Sequence, residues 1–231
     1  MQVGRDLGNY YPPKRAELAT QHARTAVLEV PQPLAIRRNV AVSSAVLEGE
    51  FQVEDMRARL VVDPADCDRA WADGVVPVLV DPGAGSLAWL RPAVLVDAII
   101  AKRNLGTHRN MAPLTIALGP GFSAPEDVDA IIETMRGHDL GRLVLSGSAL
   151  PNTGIPGVIE GHSARRVVRA PVAGVMKSLI KLGDLVQEGD VIAHVGDAPI
   201  IAPLSGMVRG LLSDGIDVPI GFKIGDIDPR G

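Results

Sequence analysis

The sequence predicts an α/β protein in which a Rossmann-like domain with a mostly parallel sheet (residues 1–155) precedes a small all-β barrel-sandwich hybrid domain (residues 165–231). Continuous apolar runs in the first part are typical of strands that are buried on both faces of a parallel sheet. The last third contains an internal repeat of short strands separated by glycines. At 231 residues, 46% of them hydrophobic, the chain is long enough to bury two cores.

Five apolar runs predict strands in the first domain, because each contains several aliphatic or β-branched residues in succession. They are AVLEV (26–30), VVPVLVD (75–81), AVLVDA (93–98), PLTIALG (113–119) and GRLVLSG (141–147). Alternating polarity in EFQVEDMRARLVV, which begins at Glu50, predicts a hairpin or an edge insertion.

Helices are predicted between several of these strands, which is the pattern of an α/β domain. Residues 125–136 repeat apolar side chains at helical spacing from Val128 to Met135. The segment PADCDRAWADG predicts a short helix with Pro64 near its start and Gly74 at its end.

The C-terminal repeat aligns residues 170–197 with residues 202–228 at a constant offset of 32 and with eight identities. Each copy predicts short strands between glycine turns, so the two copies can bury their apolar faces against each other as a flattened barrel. Gly, Pro and Ser are frequent in residues 147–164, which places the linker there.

Composition narrows the functional classes. The formal net charge of −4 and an aromatic content of 3% disfavour nucleic acid as a partner. A single cysteine, Cys67, excludes an internal disulfide and fits a reducing compartment. The start lacks an apolar signal region and no later run has the length of a membrane span, so we expect a cytoplasmic protein without a membrane partner.

The first candidate site is the loop Gly119-Pro120-Gly121, which lies between a predicted strand and a predicted helix. Ser123 and Glu126 have the spacing of a capping box at the start of that helix. Backbone N–H groups at a helix start attract anions, and glycines let an anion approach closely. Two interpretations stay open: an anion or phosphate site, and a tight turn that requires glycine.

A second group of candidates follows the strand AVLVDA, where Asp97 precedes Lys102, Arg103 and Asn104. Ligands of open parallel sheets bind outside the carboxyl ends of the strands, and the Gly119 loop also leaves such an end. Lys102 and Arg103 could therefore supply charge to a phosphate-like group. The alternative is a solvated loop with basic residues.

Three further candidates are positively charged or titratable. Arg37 and Arg38 follow a strand-like run and suit an anionic ligand, although solvated element ends use arginines as well. His138 follows the predicted helix end at Gly137, where a helix C-terminus would favour its protonated form. A surface or capping role for His138 is favoured over ligand binding.

Other chemistries lack support. Asp66 and Asp68 flank Cys67 and would raise the pKa of its thiol, which argues against a reactive cysteine. The histidines show no zinc-binding spacing, so no metal is expected, and no G-x-S-x-G elbow is present.

Several segments together resemble the YqeB-type accessory proteins of the selenium-dependent molybdenum hydroxylase system, over about residues 27–231. They are EVPQPLAIRRNVAVSSAVLEGE, VPVLVDP, VLVDAIIAKRNLGT, APLTIALGPGFSAPEDVDAIIETMRGHDLGR, GSALPNTGIPG and RGLLSDGIDVPIGFKIGDIDPRG. The resemblance implies an accessory role in maturing hydroxylases that carry a labile selenium ligand on molybdenum, with the hydroxylase or its cofactor machinery as partner. The start of the chain departs from the family pattern, because VGRDLGNYYPPKRAELATQHA scatters the glycines of the G-x-G-D-L-A loop.

The C-terminal repeat also resembles biotinyl/lipoyl-like barrel-sandwich domains. The modified lysine of those carriers lies in the hairpin between the two halves, which corresponds here to Gly196-Asp197-Ala198-Pro199. No lysine is present there, and Lys177 aligns with Arg209 inside the halves. We therefore expect no biotin or lipoate attachment, and the cofactor stays unidentified.

Three functional hypotheses follow. The first is a maturation factor that binds selenophosphate, a nucleotide or a molybdopterin dinucleotide for cofactor handling or selenium delivery. The second is an NAD(P)-dependent or nucleotide-using enzyme on the same loop, with Asp97 and His138 as candidates by position only. The third is a non-catalytic adaptor for the hydroxylase.

Overall fold

A computed structural model describes residues 2–3, 24–154 and 159–230. The chain divides into two compact units that interleave along the sequence. Met1–Pro33 and Val42–Thr153 form the first unit, and Leu34–Ala41 and Gly154–Gly231 form the second.

In its described residues, the first unit contains nine strands and three α-helices. The strands are β1 (Gln2–Val3), β2 (Val27–Glu29), β3 (Glu50–Val53), β4 (Met56–Val61), β5 (Val76–Val80), β6 (Val94–Asp97), β7 (Leu114–Leu118), β8 (Ala130–Ile132) and β9 (Leu143–Val144). The helices are α1 (Ala45–Glu48), α2 (Pro64–Ala72) and α3 (Leu87–Leu90), with 3-10 turns at Val42–Ser44 and Arg109–Met111.

These strands form one mixed sheet in the order β3-β4-β5-β2-β1-β6-β7-β8-β9. The seven central strands run parallel, while the edge strands β3 and β9 pair antiparallel with their neighbours. The hairpin predicted for the segment from Glu50 is β3–β4, and the helix predicted from Pro64 is α2, whose N-cap Asp63 accepts a hydrogen bond from the backbone of Asp66.

The predicted α/β, Rossmann-like fold class is wrong. Each described α-helix is short, the longest being the nine-residue α2, and the connections from β6 to β7 and from β7 to β8 contain no α-helix. The second unit is built from antiparallel sheets. In its described residues the protein is therefore mostly β, because short helices and loops, and not a layer of long helices, join the parallel strands.

The helix predicted over residues 125–136 does not form. The carboxylate of Asp127 accepts the backbone N–H of Ser123 at 2.8 Å, which closes a turn where the capping box was expected. Residues 130–132 then form β8, paired in parallel with β7. Adjacent β-branched isoleucines suit a strand, and the pairing with β7 overrides the weak helical periodicity.

Three apolar clusters cover the faces of the first sheet. One packs Cys67 and Ala70 of α2 against strands β2, β4 and β5, and another packs α1 and the β3–β4 hairpin against the same strands. The third places Phe122 and Val128 from the β7–β8 connection against β7 and β8. Short helices and packed loops thus replace the missing helical layer.

The second unit contains eight strands in its described residues, together with 3-10 turns at Arg38–Val40 and Ala164–Arg166. The strands are β10 (Val167–Arg169), β11 (Gly174–Ser178), β12 (Leu185–Val186), β13 (Val191–Val195), β14 (Ala198–Ile201), β15 (Gly206–Leu211), β16 (Asp217–Val218) and β17 (Lys223–Asp228). They form two four-stranded sheets, β10-β17-β15-β12 and β14-β13-β11-β16.

The two sheets are copies of each other. Strands β11 and β15 begin at Gly174 and Gly206, an offset of 32 residues, and the pairs β12/β16 and β13/β17 have the same offset. The order of one sheet therefore maps strand by strand onto the order of the other. A single apolar core that includes Met176, Ile192 and Ile224 belongs to both sheets.

Residues 34–41 belong to the second unit although they follow β2 in sequence. Ile36 is buried in the core of that unit, and its carbonyl oxygen accepts the backbone N–H of Leu211 at 2.7 Å. The Nε of Arg38 donates to the carbonyl oxygen of Leu211 at 2.9 Å. The segment is thus held beside β15 by main-chain and side-chain bonds.

A buried ion pair secures this segment. Arg37 Nη2 donates to Asp226 Oδ2 at 2.9 Å, and the side chains are only 14% and 5% exposed. Gly210 lies opposite Asp226 in the β15–β17 ladder. A Cβ on Gly210 would overlap the Asp226 carboxylate and approach Ile36 Cδ1 to 2.9 Å. Only glycine leaves room here for both the ion pair and Ile36.

We expect Gly210→Ala to lower the free energy of unfolding by about 1–3 kcal/mol, since the added methyl group overpacks this site. Urea denaturation followed by circular dichroism measures the change. Gly83→Ala is the matched control, because a Cβ there meets nothing within 4 Å, and we expect a change of less than about 0.5 kcal/mol. Equal stabilities of the two variants would contradict the packing described here.

Candidate functional site

The order in which the chain adds parallel strands to the sheet reverses its direction at β1. Strands β2 and β5 lie on one side of β1, while β6, β7 and β8 lie on the other. In open sheets of parallel strands, ligands bind outside the carboxyl ends of the strands near such a reversal. The loops that follow β6 and β7, residues 98–113 and 119–129, leave the sheet at this edge.

The loop after β6 is closed by two side chains. Asp97 is 2% exposed, and its carboxylate accepts the N–H of Ile99 at 3.0 Å and the hydroxyl of Thr107 at 2.6 Å. The amide of Asn104 donates to the carbonyl oxygen of Thr107 and accepts the N–H of Gly106, both at 2.8 Å. Asp97 and Asn104 therefore brace the loop with the same groups that a ligand would need.

The structure brings the loop after β6 against the loop after β7. Gly121 has a φ of +112°, and a Cβ on it would lie 2.6 Å from both N and Cα of Arg103 and 2.8 Å from the carbonyl carbon of Lys102. Backbone packs on backbone at this point, so a side chain has no space. Gly121 thus fixes where the chain at Lys102 and Arg103 lies.

Lys102 and Arg103 present free charges. Both residues are exposed, and within the described ranges neither side chain has a hydrogen bond or an ion pair. Lys102 has a φ of +64° and Ile100 a φ of +54°, which is an unfavourable backbone region for a β-branched residue. Such strain persists only where the surroundings enforce it, as the Asp97, Asn104 and Gly121 contacts do here.

The backbone N–H groups of the Gly119–Ser123 loop divide into two sets. Gly119 donates to the carbonyl oxygen of Ile132 at 2.9 Å, and Ser123 donates to the Asp127 carboxylate. The N–H groups of Gly121 and Phe122 make no hydrogen bond to any other residue in the described part of the chain. These two N–H groups thus have no described acceptor, and they belong to the loop that packs on the backbone of Arg103.

The structure does not bring three other predicted residues into this site. Arg37 and Arg38 belong to the second unit, where they bind Asp226 and the carbonyl oxygen of Leu211. His138 is exposed in the turn between β8 and β9, and no helix ends before it.

Three acidic residues at the carboxyl ends of strands in this sheet were not among the candidates predicted from the sequence. They are Glu29, Asp81 and Glu133. The Oε2 of Glu29 accepts the N–H of Val30 at 2.9 Å, and Asp81 accepts the N–H groups of Gly85 and Ser86 at 3.0 and 2.7 Å. Burial opposes ionisation of Asp81, but hydrogen bonds from the side chain and backbone of Ser86 and from the backbone of Gly85 outweigh it and lower its pKa. The common pattern is an apolar run that passes directly into an acidic residue, as in VLE and VLVD.

Glu133 completes this set and is 3% exposed. Its carboxylate accepts the N–H of Met135 at 2.6 Å and the N–H of Leu150 at 2.7 Å, which ties the end of β8 to the chain after β9. Within residues 2–3, 24–154 and 159–230, no group of three or more His, Cys, Asp or Glu side chains could hold a metal ion. These acidic side chains stabilise the turns that follow the strands by accepting backbone hydrogen bonds.

The thiol of Cys67 is buried in α2 and 0% exposed. Burial raises its pKa to about 11, and Asp66, Asp68 and Asp63 add to the rise. A thiol that stays protonated is a poor nucleophile, which agrees with the structural role expected from the sequence.

No helix in the described ranges is both long and apolar enough to cross a membrane.

These features define a class of site: a braced, cation-bearing loop at the carboxyl edge of a parallel sheet. No protein-family model matches the chain. The chain is similar to the Escherichia coli (strain K12) protein named "Uncharacterized protein YqeB", with 57% identity over 208 residues. The match covers 90% of this chain and 38% of that protein, so the chain spans less than half the length of its relative.

Solved structures offer only distant likenesses. The product-bound ectoine utilization protein EutE (DoeB) of Ruegeria pomeroyi is 13% identical, with 93% of this chain and 62% of that chain covered, at a TM-score of 0.27. An aspartoacylase family protein of Mesorhizobium loti is 12% identical, with coverages of 88% and 83%, also at 0.27. TM-scores this low establish neither a common fold nor a common function.

Gly121→Ala should destabilise the first unit more than Gly106→Ala. Both glycines have a similar φ, +112° and +121°, but a Cβ on Gly106 meets nothing within 4 Å. The strain of the positive φ is therefore common to both variants, and only Gly121→Ala adds a clash with backbone. We expect an additional loss of about 1–3 kcal/mol in urea denaturation. Equal losses would show that the two loops do not pack as described.

Proposed function

We propose that this protein is an accessory factor that binds an anionic ligand at the Gly121 edge during maturation of selenium-dependent molybdenum hydroxylases. One observation carries the binding part of the proposal: Lys102 and Arg103 are exposed, have no described partner, and are held against Gly121 by the packing of the two loops. Because the backbone that carries the two cations is already held in place, only their side chains must be ordered when an anion binds.

The donor set suits phosphate oxygens. Two cationic side chains supply charge-assisted hydrogen bonds, and the N–H groups of Gly121 and Phe122 add neutral donors beside them. Selenophosphate, a nucleotide and the pyrophosphate of a molybdopterin dinucleotide all present such oxygens. The ligand belongs to this chemical class.

The proposed role in hydroxylase maturation rests on the resemblance of the chain to the YqeB-type proteins and on its 57% identity to YqeB. The hydroxylase or its cofactor machinery is the proposed partner. Binding is favoured over catalysis, because both oxygens of Asp97 already accept hydrogen bonds and Asp97 offers no free base.

Lys102→Ala and Arg103→Ala should each weaken binding of the cognate anion by about tenfold, which corresponds to the loss of one charge-assisted hydrogen bond. Calorimetric titration with selenophosphate, ATP, CTP and a molybdopterin dinucleotide identifies that anion. A ligand at a hundred times its Kd should also raise the unfolding free energy by about 2.7 kcal/mol.

Lys181→Ala is the matched control for these titrations. Lys181 is exposed and its side chain has no described partner, so the variant removes the same positive charge at a residue that is not part of the proposed site. Equal weakening by Lys181→Ala would reduce the effect to overall charge and overturn the site. Tight binding that survives the double variant Lys102→Ala/Arg103→Ala would also overturn it.

The cellular role is tested separately. In a host that lacks its own copy of the protein, the Lys102→Ala/Arg103→Ala variant should yield molybdenum hydroxylase with little selenium and low activity. The selenium-to-molybdenum ratio of the purified hydroxylase, measured by mass spectrometry, reports the outcome, with Lys181→Ala as the control. A full selenium content with the double variant would refute the proposed role in maturation.

A further inference from the structure

A cleft opens at the amino-terminal edge of the same sheet, opposite the Gly121 edge. Its volume is about 780 Å³, and its lining includes Ala93, Pro113 and Asp129, the residues that immediately precede β6, β7 and β8. All of its lining residues lie in the first unit. None of them is among the candidates at the Gly121 edge.

One side of the cleft carries a positioned arginine. Arg109 donates through Nε to the carboxylate of Asp129, and its own carbonyl oxygen accepts the hydroxyl of the fully buried Thr115 at 3.1 Å. The other oxygen of Asp129 accepts the N–H of Thr115 at 2.8 Å. Asp129 thus fixes Arg109 from the side and balances its charge.

The other polar groups of the cleft are uncommitted. Arg91 follows helix α3 in a left-handed conformation with a φ of +42° and is exposed. In the part of the chain that the structure describes, neither the guanidinium of Arg91 nor the side-chain amide of Asn110 has a hydrogen-bonding or ionic partner. With Arg109 balanced by Asp129, Arg91 leaves the cleft with a formal charge of +1.

Apolar side chains line the rest of the cleft. Leu87, Pro92 and Met111 are half-buried and line the cleft together with its polar groups. A bare inorganic anion would leave this surface in water, whereas an apolar group on the same ligand would cover it.

We infer that this cleft binds a small organic anion, a phosphate or carboxylate joined to an apolar body. Arg91, Arg109 and Asn110 hold the acidic group, and Leu87, Pro92 and Met111 contact the body. This site is distinct from the Gly121 edge, which offers cations and backbone donors for phosphate oxygens.

The test uses phenyl phosphate as the probe, with inorganic phosphate and benzyl alcohol as the two part-ligands. NMR titration of the full chain should give saturable shifts of the amide signals of Leu87, Asn110 and Met111 with phenyl phosphate. We expect each part-ligand to bind at least about tenfold more weakly, because each lacks one half of the recognition. Inorganic phosphate that binds these residues as tightly as phenyl phosphate would overturn the inference.

Arg91→Ala should weaken phenyl phosphate binding at these signals by about tenfold. The exposed Arg91 side chain has no described partner, so the variant is expected to fold normally. Lys181→Ala should leave the affinity unchanged. Unchanged affinity in Arg91→Ala, or an absence of shifts at millimolar probe, would refute the site.

The double variant Lys102→Ala/Arg103→Ala separates the two sites. It should abolish any shifts of Gly121 and Phe122 and leave those of Asn110 and Met111 intact. Loss of the Asn110 and Met111 shifts in this variant would mean that a single site had been divided in two, and would overturn the inference while leaving the Gly121 edge standing.

Discussion

A strand that is buried on both faces leaves its sheet with backbone N–H groups that the ladder no longer satisfies, and leaving such groups unpaired is costly. The first unit meets this constraint with a carboxylate at four described strand ends: Glu29, Asp81, Asp97 and Glu133. Each accepts at least one N–H from the chain that follows it. Hydrogen bonds to an ionised acceptor are strong, so these contacts set the paths of the loops.

This arrangement has an electrostatic consequence. Neutral backbone N–H groups hold these acidic side chains in place and add no full positive charge to the carboxyl edge of the sheet. An anion approaching this edge needs compensating positive charge. Lys102 and Arg103 provide it at a point fixed by Gly121, and their lack of described partners leaves both charges available. The sheet's amino edge differs, because there Asp129 is paired with Arg109 and Arg91 remains in excess.

The sequence predicted what depends on short-range patterns. The apolar runs at residues 75–81 and 113–119 form strands β5 and β7, and Asp63 and Pro64 start α2, because burial and capping act within a few residues. The helix predicted over residues 125–136 was wrong, because the pairing of β8 with β7 decides the conformation of these residues. The predicted fold class was wrong as well, because it assumed that helices join several of these strands and form a layer on the sheet.

The candidate site was predicted in part for the same reason. Asp97, Lys102 and Gly121 follow adjacent strands, so sheet topology alone brings their loops to one edge. The close contact of Gly121 with the backbone of Arg103 depends on fine details of packing. Such a contact produces no repeating pattern of residues, so the sequence does not reveal it. The burial of Arg37 against Asp226 joins residues that are 189 positions apart, and neither position reveals its partner locally.

The repeat in the second unit shows how such a distant pairing becomes possible. The halves have equivalent strands, yet Gly210 and Asp226 of one half correspond to Ser178 and His194 of the other. Glycine at the first position lets Ile36 approach the sheet, and aspartate at the second neutralises Arg37. Ser178 and His194 provide neither the space nor the negative charge, so residues 34–41 can occupy only one of two similar sheets. The repeated fold therefore has one defined binding position for a segment from elsewhere in the chain. Two residues that differ between the halves, Gly210 and Asp226, create that position together.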